Sequence, residues 1–246
     1  ISATFCRHPM DIPHVRWIQM DMDSEESIRH AVESVNPRVI IHTAAMKDVD
    51  ACETNPEMAR RMNVRATEIL CDMAAREGIR VIFVSTDLVF DGTKSFWTEE
   101  DLPAGSGIYA ETKRSAEGIV MSNPKNAVVR VALLYGWSNG VNKSFIDWMW
   151  SNLARLRPTP LFTDQFRTPT LVEEAGAVLM TIASRDDLRG IFHVAGPERI
   201  SRFEFGLRVC RHFPFDPGYI QPVLMSELAA HSPRAADCSL DTRKMT

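Results

Sequence analysis

Glycine is absent from the first 77 residues of this 246-residue chain, the first of its 12 glycines being Gly78. So long a stretch without it contains no glycine-rich turn that could cradle a phosphate. Long apolar runs are missing too. Nothing approaches the roughly 18 residues needed to span a bilayer, which excludes a helical membrane protein. The five cysteines (Cys6, Cys52, Cys71, Cys210, Cys238) are odd in number and scattered, with no CxxC pair. That argues against a disulfide scaffold and a zinc cluster and fits a reducing cytosol. Neither sign of charge is in large excess: 28 Lys and Arg oppose 32 Asp and Glu, a formal charge of −4. Such a balance leaves no footprint for nucleic acid or an anionic membrane. No His/Asp/Glu cluster has metal-ligand spacing, so no protein-bound metal is expected. What remains is an ordinary globular composition, 45% hydrophobic and 24% charged, long enough for one large domain or a domain with a small lobe. No secretory leader pattern follows Ile1, and a cytoplasmic protein is expected.

Apolar runs of four to six residues alternate with longer amphipathic stretches, the pattern of βαβ units and a parallel sheet. Strands are expected over 1–6, 15–20, 39–42, 81–85, 127–134 and 190–195. Val39 to His42 is uniformly apolar, as a strand covered on both faces would be. Ser24 can cap a helix that Asn36-Pro37 stops, and a long helix runs from about 55 to 77, with Gly78 as its stop. Further helices are expected over 106–121, 144–156, 169–184 and from Ser201 to near Phe213. The rhythm loosens after Gly136. We divide the chain into a nucleotide-binding domain, 1–136, and a mainly substrate-binding lobe, 137–246, some of whose segments return to the main sheet. Open parallel sheets take ligands at their carboxyl ends.

Tyr109 and Lys113 are the sharpest local feature. Four residues apart on a helix they share a face, and a nearby cation draws a phenol with an ordinary pKa near 10 toward the working range. An amphipathic helix with a half-buried Tyr and an exposed Lys would give the same spacing. Upstream, Val81 to Asp87 sets two hydroxyls and a carboxylate at the end of a strand, with Thr86 lying 23 residues before Tyr109.

A strand-end hydroxyl, then Tyr, then Lys is the order of the short-chain dehydrogenase/reductase superfamily. The string Ser85 to Gly92 (STDLVFDG) resembles the STDYVFDG signature of the dTDP-4-dehydrorhamnose reductase family, in the superfamily's extended branch. Other matches fall in order: Ile41 to Ala45, Asp50 and Glu53, Asn63-Val64, Asp164-Gln165-Phe166 with Pro169-Thr170, Pro233-Arg234 and Ser239-Leu240-Asp241. The resemblance implies an α/β fold, a Rossmann-like doubly wound parallel sheet with a smaller C-terminal substrate lobe. It also implies an NAD(P)H-dependent reductase of a nucleotide-linked 4-keto sugar. Tyr109 would donate the proton, Lys113 would lower its pKa and meet the nicotinamide ribose, and Thr86 would hold the carbonyl oxygen with Asp87 touching substrate. Thr43, Ala44 and Ala45 would admit the dinucleotide, and Asp21 and Met22 would lie against adenine. Arg7, after the first strand, suits a 2′-phosphate, which favours NADPH while leaving NADH open.

Two departures qualify this. The family's first strand and Gly-rich turn would precede Ile1, so the sequence reads as part of a longer protein. Leu133 stands where the rhamnose reductases carry a substrate-packing Trp, and Trp137, Trp148 and Trp150 could replace that surface or simply pack the lobe. The chain also resembles the regulatory subunit of methionine adenosyltransferase, a relative that binds another enzyme, so a non-catalytic NADP-binding subunit is the alternative. A truncated, inactive relative is a third. A nucleotide-sugar substrate and a homodimer are the partners expected, with no nucleic acid and no membrane. His42 and His193 are read as hydrogen-bonded core histidines, Met62 and Met73 as core, and Glu25, Glu26, Glu99, Glu100 and Asp101 as solvated acidic faces.

Overall fold

The structure is a computed structural model that describes residues 1–138, 144–227 and 232–245. Its first half runs β1 (Ser2–Phe5), β2 (Arg16–Gln19), α1 (Glu25–Val35), β3 (Val39–His42), α2 (Val49–Thr54), α3 (Pro56–Arg60), a π-helical turn (Arg61–Arg65), α4 (Ala66–Arg76), β4 (Arg80–Thr86) and α5 (Ile108–Met121). The second half runs β5 (Ala127–Val131), β6 (Leu134–Tyr135), α6 (Phe145–Leu153), β7 (Thr159–Phe162), β8 (Phe166–Arg167), β9 (Thr170–Leu171), α7 (Val172–Ser184), β10 (Gly190–Val194), β11 (Ile200–Ser201), α8 (Arg202–His212) and β12 (Ile220–Val223). Local chemistry sets these limits. The Ser24 hydroxyl accepts from the Ser27 N–H to open α1, and Asn36 closes it in a left-handed conformation, φ 46°. Among the described residues no helix is long and apolar enough to cross a membrane.

Four strands pair in the order β10–β5–β4–β3, and β3 runs parallel to β4 with Ile40 beside Val81 and His42 beside Phe83. The strand Val39 to His42, expected to be covered on both faces, is half-buried over its first three residues. β1 and β2 pair with each other in a separate parallel ribbon. The long helix expected over 55–77 is interrupted by the π turn.

The chain groups into two compact units that interleave: residues 1–85, 107–128 and 182–190 form one, and residues 86–106, 129–181 and 191–246 the other. The division between these units passes through the sheet strands β4, β5 and β10. In the first unit α1 turns Ile28, Ala31 and Val32 inward, and α4 turns Ala66, Ile69, Leu70, Met73 and Ala74 inward. Both are the i, i+3, i+4 stripes of a core-facing helix. Met73 is core as expected, and Met62 packs against the same cluster half-buried. The second unit has its own core of Met149, Leu153, Leu161, Ile200, Phe205, Val209 and Ile220, drawn from α6, β11, α8 and the parallel pair β7–β12.

Both core histidines are as expected. His42 sits 3.0 Å from the Thr67 hydroxyl and burial pushes it down to about 3. His193 lies 3.0 Å from the Trp97 carbonyl and is lowered to about 4, burial again leading. Glu99 and Asp101 are not merely solvated faces, because the fold recruits them as acceptors. Glu99 accepts the His193 N–H at 2.9 Å, and Asp101 accepts the N–H and hydroxyl of Thr98 at 2.8 and 2.9 Å. Trp137 and Trp148 are exposed, and Trp137 packs edge-on to Trp150 and Phe213.

Candidate functional site

In the first unit everything converges on the start of α5. Gly107 enters the helix at φ 91°, and Glu53 of α2 accepts the Ile108 N–H at 2.7 Å. That carboxylate caps the helix from 55 residues away and favours its positive end. Tyr109, one residue in, is buried. Lys113, one turn later, is 3% exposed; its Nζ donates to the Val84 carbonyl at 2.8 Å and lies 3.9 Å above the Phe83 ring. The exposed-lysine alternative is thereby excluded. Burial pulls the Lys113 ammonium down to about 7, partly opposed by the buried carboxylate of Glu117. An amine poised there can hold or release a proton at neutral pH, which an ordinary lysine cannot.

The π turn between α3 and α4 has a visible consequence. It presents Asn63, 2% exposed, whose Oδ1 accepts the Met46 N–H at 2.7 Å. Its Nδ2 donates to the Met46 carbonyl and to the Thr112 hydroxyl, both at 3.0 Å. Thr112 passes its own proton to the Tyr109 carbonyl at 2.8 Å. One amide thus fastens the loop that follows β3 to the helix carrying Tyr109 and Lys113, and π turns are enriched where side chains are placed for function. That loop begins Thr43-Ala44-Ala45, an exposed threonine and two half-buried alanines at the carboxyl end of a parallel strand, small enough for a dinucleotide backbone to approach.

The second unit begins with the last residue of β4. Thr86 Oγ1 donates to Asp87 Oδ1 at 3.1 Å and accepts the Leu88 N–H at 3.2 Å. Asp87, 5% exposed, faces Arg167 of β8, whose Nε lies 3.1 Å from Oδ2. The contact is an ion pair without hydrogen-bond alignment, so Asp87 Oδ2 keeps a buried, unmet acceptor site. Ser85 Oγ, the preceding side chain of the strand, is likewise buried without a partner. Burial outweighs the pull of Arg167, the Thr86 hydroxyl and Arg202 and leaves the Asp87 carboxyl above its ordinary range. Arg202 is half-buried and is itself lowered to about 9 by burial and by Arg167 and Arg234. Leu133 is half-buried and its carbonyl accepts the Thr170 N–H at 2.9 Å.

Of the remaining sequence-derived residues, Arg7 is exposed just beyond β1. Asp21 is exposed and spends Oδ1 on the Asp23 N–H at 3.0 Å. Met22 is 7% exposed and packed in the core with Ile28. Glu53 was noted only as a family match and Arg167 not at all. Both act across more than fifty residues of chain, and no local pattern marks them.

Residues 3–246 match the family model described as the RmlD substrate binding domain. The chain belongs to this family. Its relatives include methionine adenosyltransferase 2 subunit beta of Rattus norvegicus, 30% identical over 233 residues, 91% of this chain and 70% of that protein. Another, from Haloferax volcanii, is described as a probable low-salt glycan biosynthesis reductase, Agl14; it is 33% identical over 229 residues, 91% of this chain and 75% of the relative. Among solved structures, the dTDP-4-dehydrorhamnose reductase of Bacillus anthracis in complex with NADP superposes with a TM-score of 0.88 at 23% identity, covering 94% of this chain and 83% of that one. That likeness confirms the Rossmann-like α/β fold.

Proposed function

We propose that this chain is the body of an NAD(P)H-dependent reductase acting on the keto group of a sugar carried by a nucleotide. The observation that carries the reading is Lys113: buried one helical turn after Tyr109, it holds the backbone of the strand that ends two residues later in Thr86. In this reading Tyr109 donates a proton to the substrate oxygen. Lys113, titrating near neutrality, stabilises the phenolate left behind and hydrogen-bonds the cofactor's ribose. Thr86 turns its hydroxyl to the carbonyl oxygen, and Asp87, with one acceptor site unmet, takes a sugar hydroxyl. Bound dihydronicotinamide supplies the hydride. Thr43, Ala44 and Ala45 line its approach, Asp21 and Met22 its adenine end, and Arg7 selects NADPH over NADH. The positive charge of Arg167 and Arg202 beside Asp87 suits a nucleotide's phosphates. Leu133, in place of an aromatic, points to a sugar other than that of the rhamnose reductases.

The test has two arms. NADPH and NADH titrations are followed by turnover on 4-keto sugar nucleotides, for the parent and Tyr109→Phe. Removing the proton donor is expected to lower kcat at least a hundredfold, the usual scale for general acid catalysis, with cofactor affinity unchanged. Turnover within a few fold of the parent refutes the assignment. A second reading, a cofactor-binding regulatory subunit, is favoured by the 30% identity to methionine adenosyltransferase 2 subunit beta. Cofactor binding without turnover, together with copurification of a synthetase, would select it.

A further inference from the structure

Arg167 is oddly spent for a residue of a two-residue strand. It is 3% exposed; Nη1 donates to the Phe166 carbonyl at 2.6 Å and Nη2 to the Ala235 carbonyl at 3.1 Å, while Nε faces Asp87. A guanidinium with both nitrogens tied to main-chain carbonyls cannot swing away, so its charge beside Asp87 is fixed. Asp87 in turn is the acceptor that orients Thr86, the hydroxyl to which the proposed reaction gives the substrate oxygen.

We propose that Arg167 is a positioning residue: by holding its charge against Asp87 it favours the ionised carboxylate, and the ionised carboxylate sets which way the Thr86 hydroxyl points. The functional part of this inference rests on the reductase reading; the electrostatic part does not. An ionised Asp87 can only accept, so Thr86 has one resting orientation, its proton toward Oδ1 and a lone pair toward the Leu88 N–H. A protonated Asp87 can donate, and the hydroxyl then has two competing arrangements. When Thr86 turns its proton to a ligand, the carboxylate it leaves stays paired by Arg167, so the rotation strands no buried charge. Among the described residues, the charged and titratable groups facing Asp87 are Arg167 from β8, Arg202 from α8 and Cys238 of the closing segment, with the Thr86 hydroxyl beside it in the chain. Burial pushes the Cys238 thiol up to about 12, so it stays neutral and cannot substitute for the guanidinium. Arg202, half-buried, is opposed by Arg167 itself. No local sequence motif marks the role, because the pairing spans 80 residues of chain.

The experiment is to follow the Asp87 carboxyl by NMR on aspartate-labelled protein, with Asp87→Asn to assign the signal, in the parent, Arg167→Gln and Arg167→Lys. Alongside, kcat and KM are measured from pH 6 to 8.5. In Arg167→Gln the carboxyl is expected to titrate at least about one pH unit higher, a tenfold gain in proton affinity. Its kcat is expected to fall about tenfold per pH unit below that point, a limb displaced from the parent's, with KM changed little. Arg167→Lys restores part of both shifts, and it is the variant to read if Arg167→Gln does not fold. An Asp87 titration identical in all three proteins overturns the proposal. So does a loss of kcat equal at every pH, which marks Arg167 as a structural tie between β8 and the closing segment. If no variant, nor the parent, reduces any keto sugar, the reductase reading fails while the titration still decides the Arg167–Asp87 coupling.

Discussion

Lys113→Met removes a charge from one of the best-buried positions of the first unit, and its effect is computable because the cost of that charge depends on pH. The ammonium falls from an ordinary 10.5 to about 7, driven by burial. At 1.36 kcal/mol per tenfold change in proton affinity, that drop corresponds to about 5 kcal/mol between the charged forms. The sign follows from linkage. The unfolded chain keeps Lys113 protonated up to pH 10, whereas the folded chain releases the proton above 7. The unfolded state therefore binds more protons in this window, and stability rises with pH. Relative to Lys113→Met, the parent is expected to gain about 2.5 kcal/mol between pH 6 and pH 9. Urea denaturation of both proteins at three pH values measures it, with the slope against denaturant showing that the transition is unchanged. Parallel stability curves would refute the reasoning: either Nζ is hydrated, or Glu117 pairs with it strongly enough to restore an ordinary pKa. The sign also separates this lysine from one in a surface ion pair, whose removal would leave the parent less stable at high pH.

Two further substitutions test the frame around the site. Asn63→Ala leaves the Met46 N–H and carbonyl and the Thr112 hydroxyl without their shared partner. A loss of about 2–3 kcal/mol is expected, read by denaturation, with hydrogen exchange accelerated at Met46. Gly92→Ala meets two obstacles at once, a φ of +82° and a Cβ that would lie 2.7 Å from the Ala236 amide nitrogen. A loss of at least about 2 kcal/mol in thermal or chemical unfolding is expected, and an unchanged midpoint would mean that the 232–241 segment is free to move off it.

Much of the element order was legible because strands and helices here carry their own limits. Ser24 caps α1 and Asn36 closes it, both by local hydrogen bonding that the residue types announce. The Tyr109–Lys113 pair was legible as spacing on a helix, and the structure buries both. What could not be read was the partner of each group. Glu99 reads as a solvated acid until His193, 94 residues on, donates to it. The π turn at Arg61–Arg65 sits inside an unbroken helical pattern, and its purpose shows only through the three hydrogen bonds of Asn63.

Burial also sorts the chain's ionisable groups in a way that isolates Lys113. His42, which feels the Lys113 charge, is pushed down to about 3 by burial first and by that charge second. It is therefore neutral throughout the range in which Lys113 titrates, and its Nε2 can keep the Thr67 hydroxyl as a partner without adding a second cation to the same interior. His193 is lowered to about 4, and the Cys71 and Cys238 thiols are raised to about 12. Of these buried groups none changes charge between pH 5 and 8 except Lys113. Arg202, lowered to about 9, belongs to the second unit and is common to parent and variant, so it cancels. A difference in protonation between parent and Lys113→Met near pH 7 is then that of one amine. The same sorting makes Lys113→Met and Arg167→Gln independent probes. The first removes a charge whose stability effect grows with pH; the second uncovers a carboxylate whose protonation grows as pH falls. Relative to the parent, both variants are expected to lose stability as pH rises; if the two effects add in the double variant, the buried lysine and the buried carboxylate act as separate groups, and a double variant whose pH dependence departs from the sum would show that the two titrations are coupled.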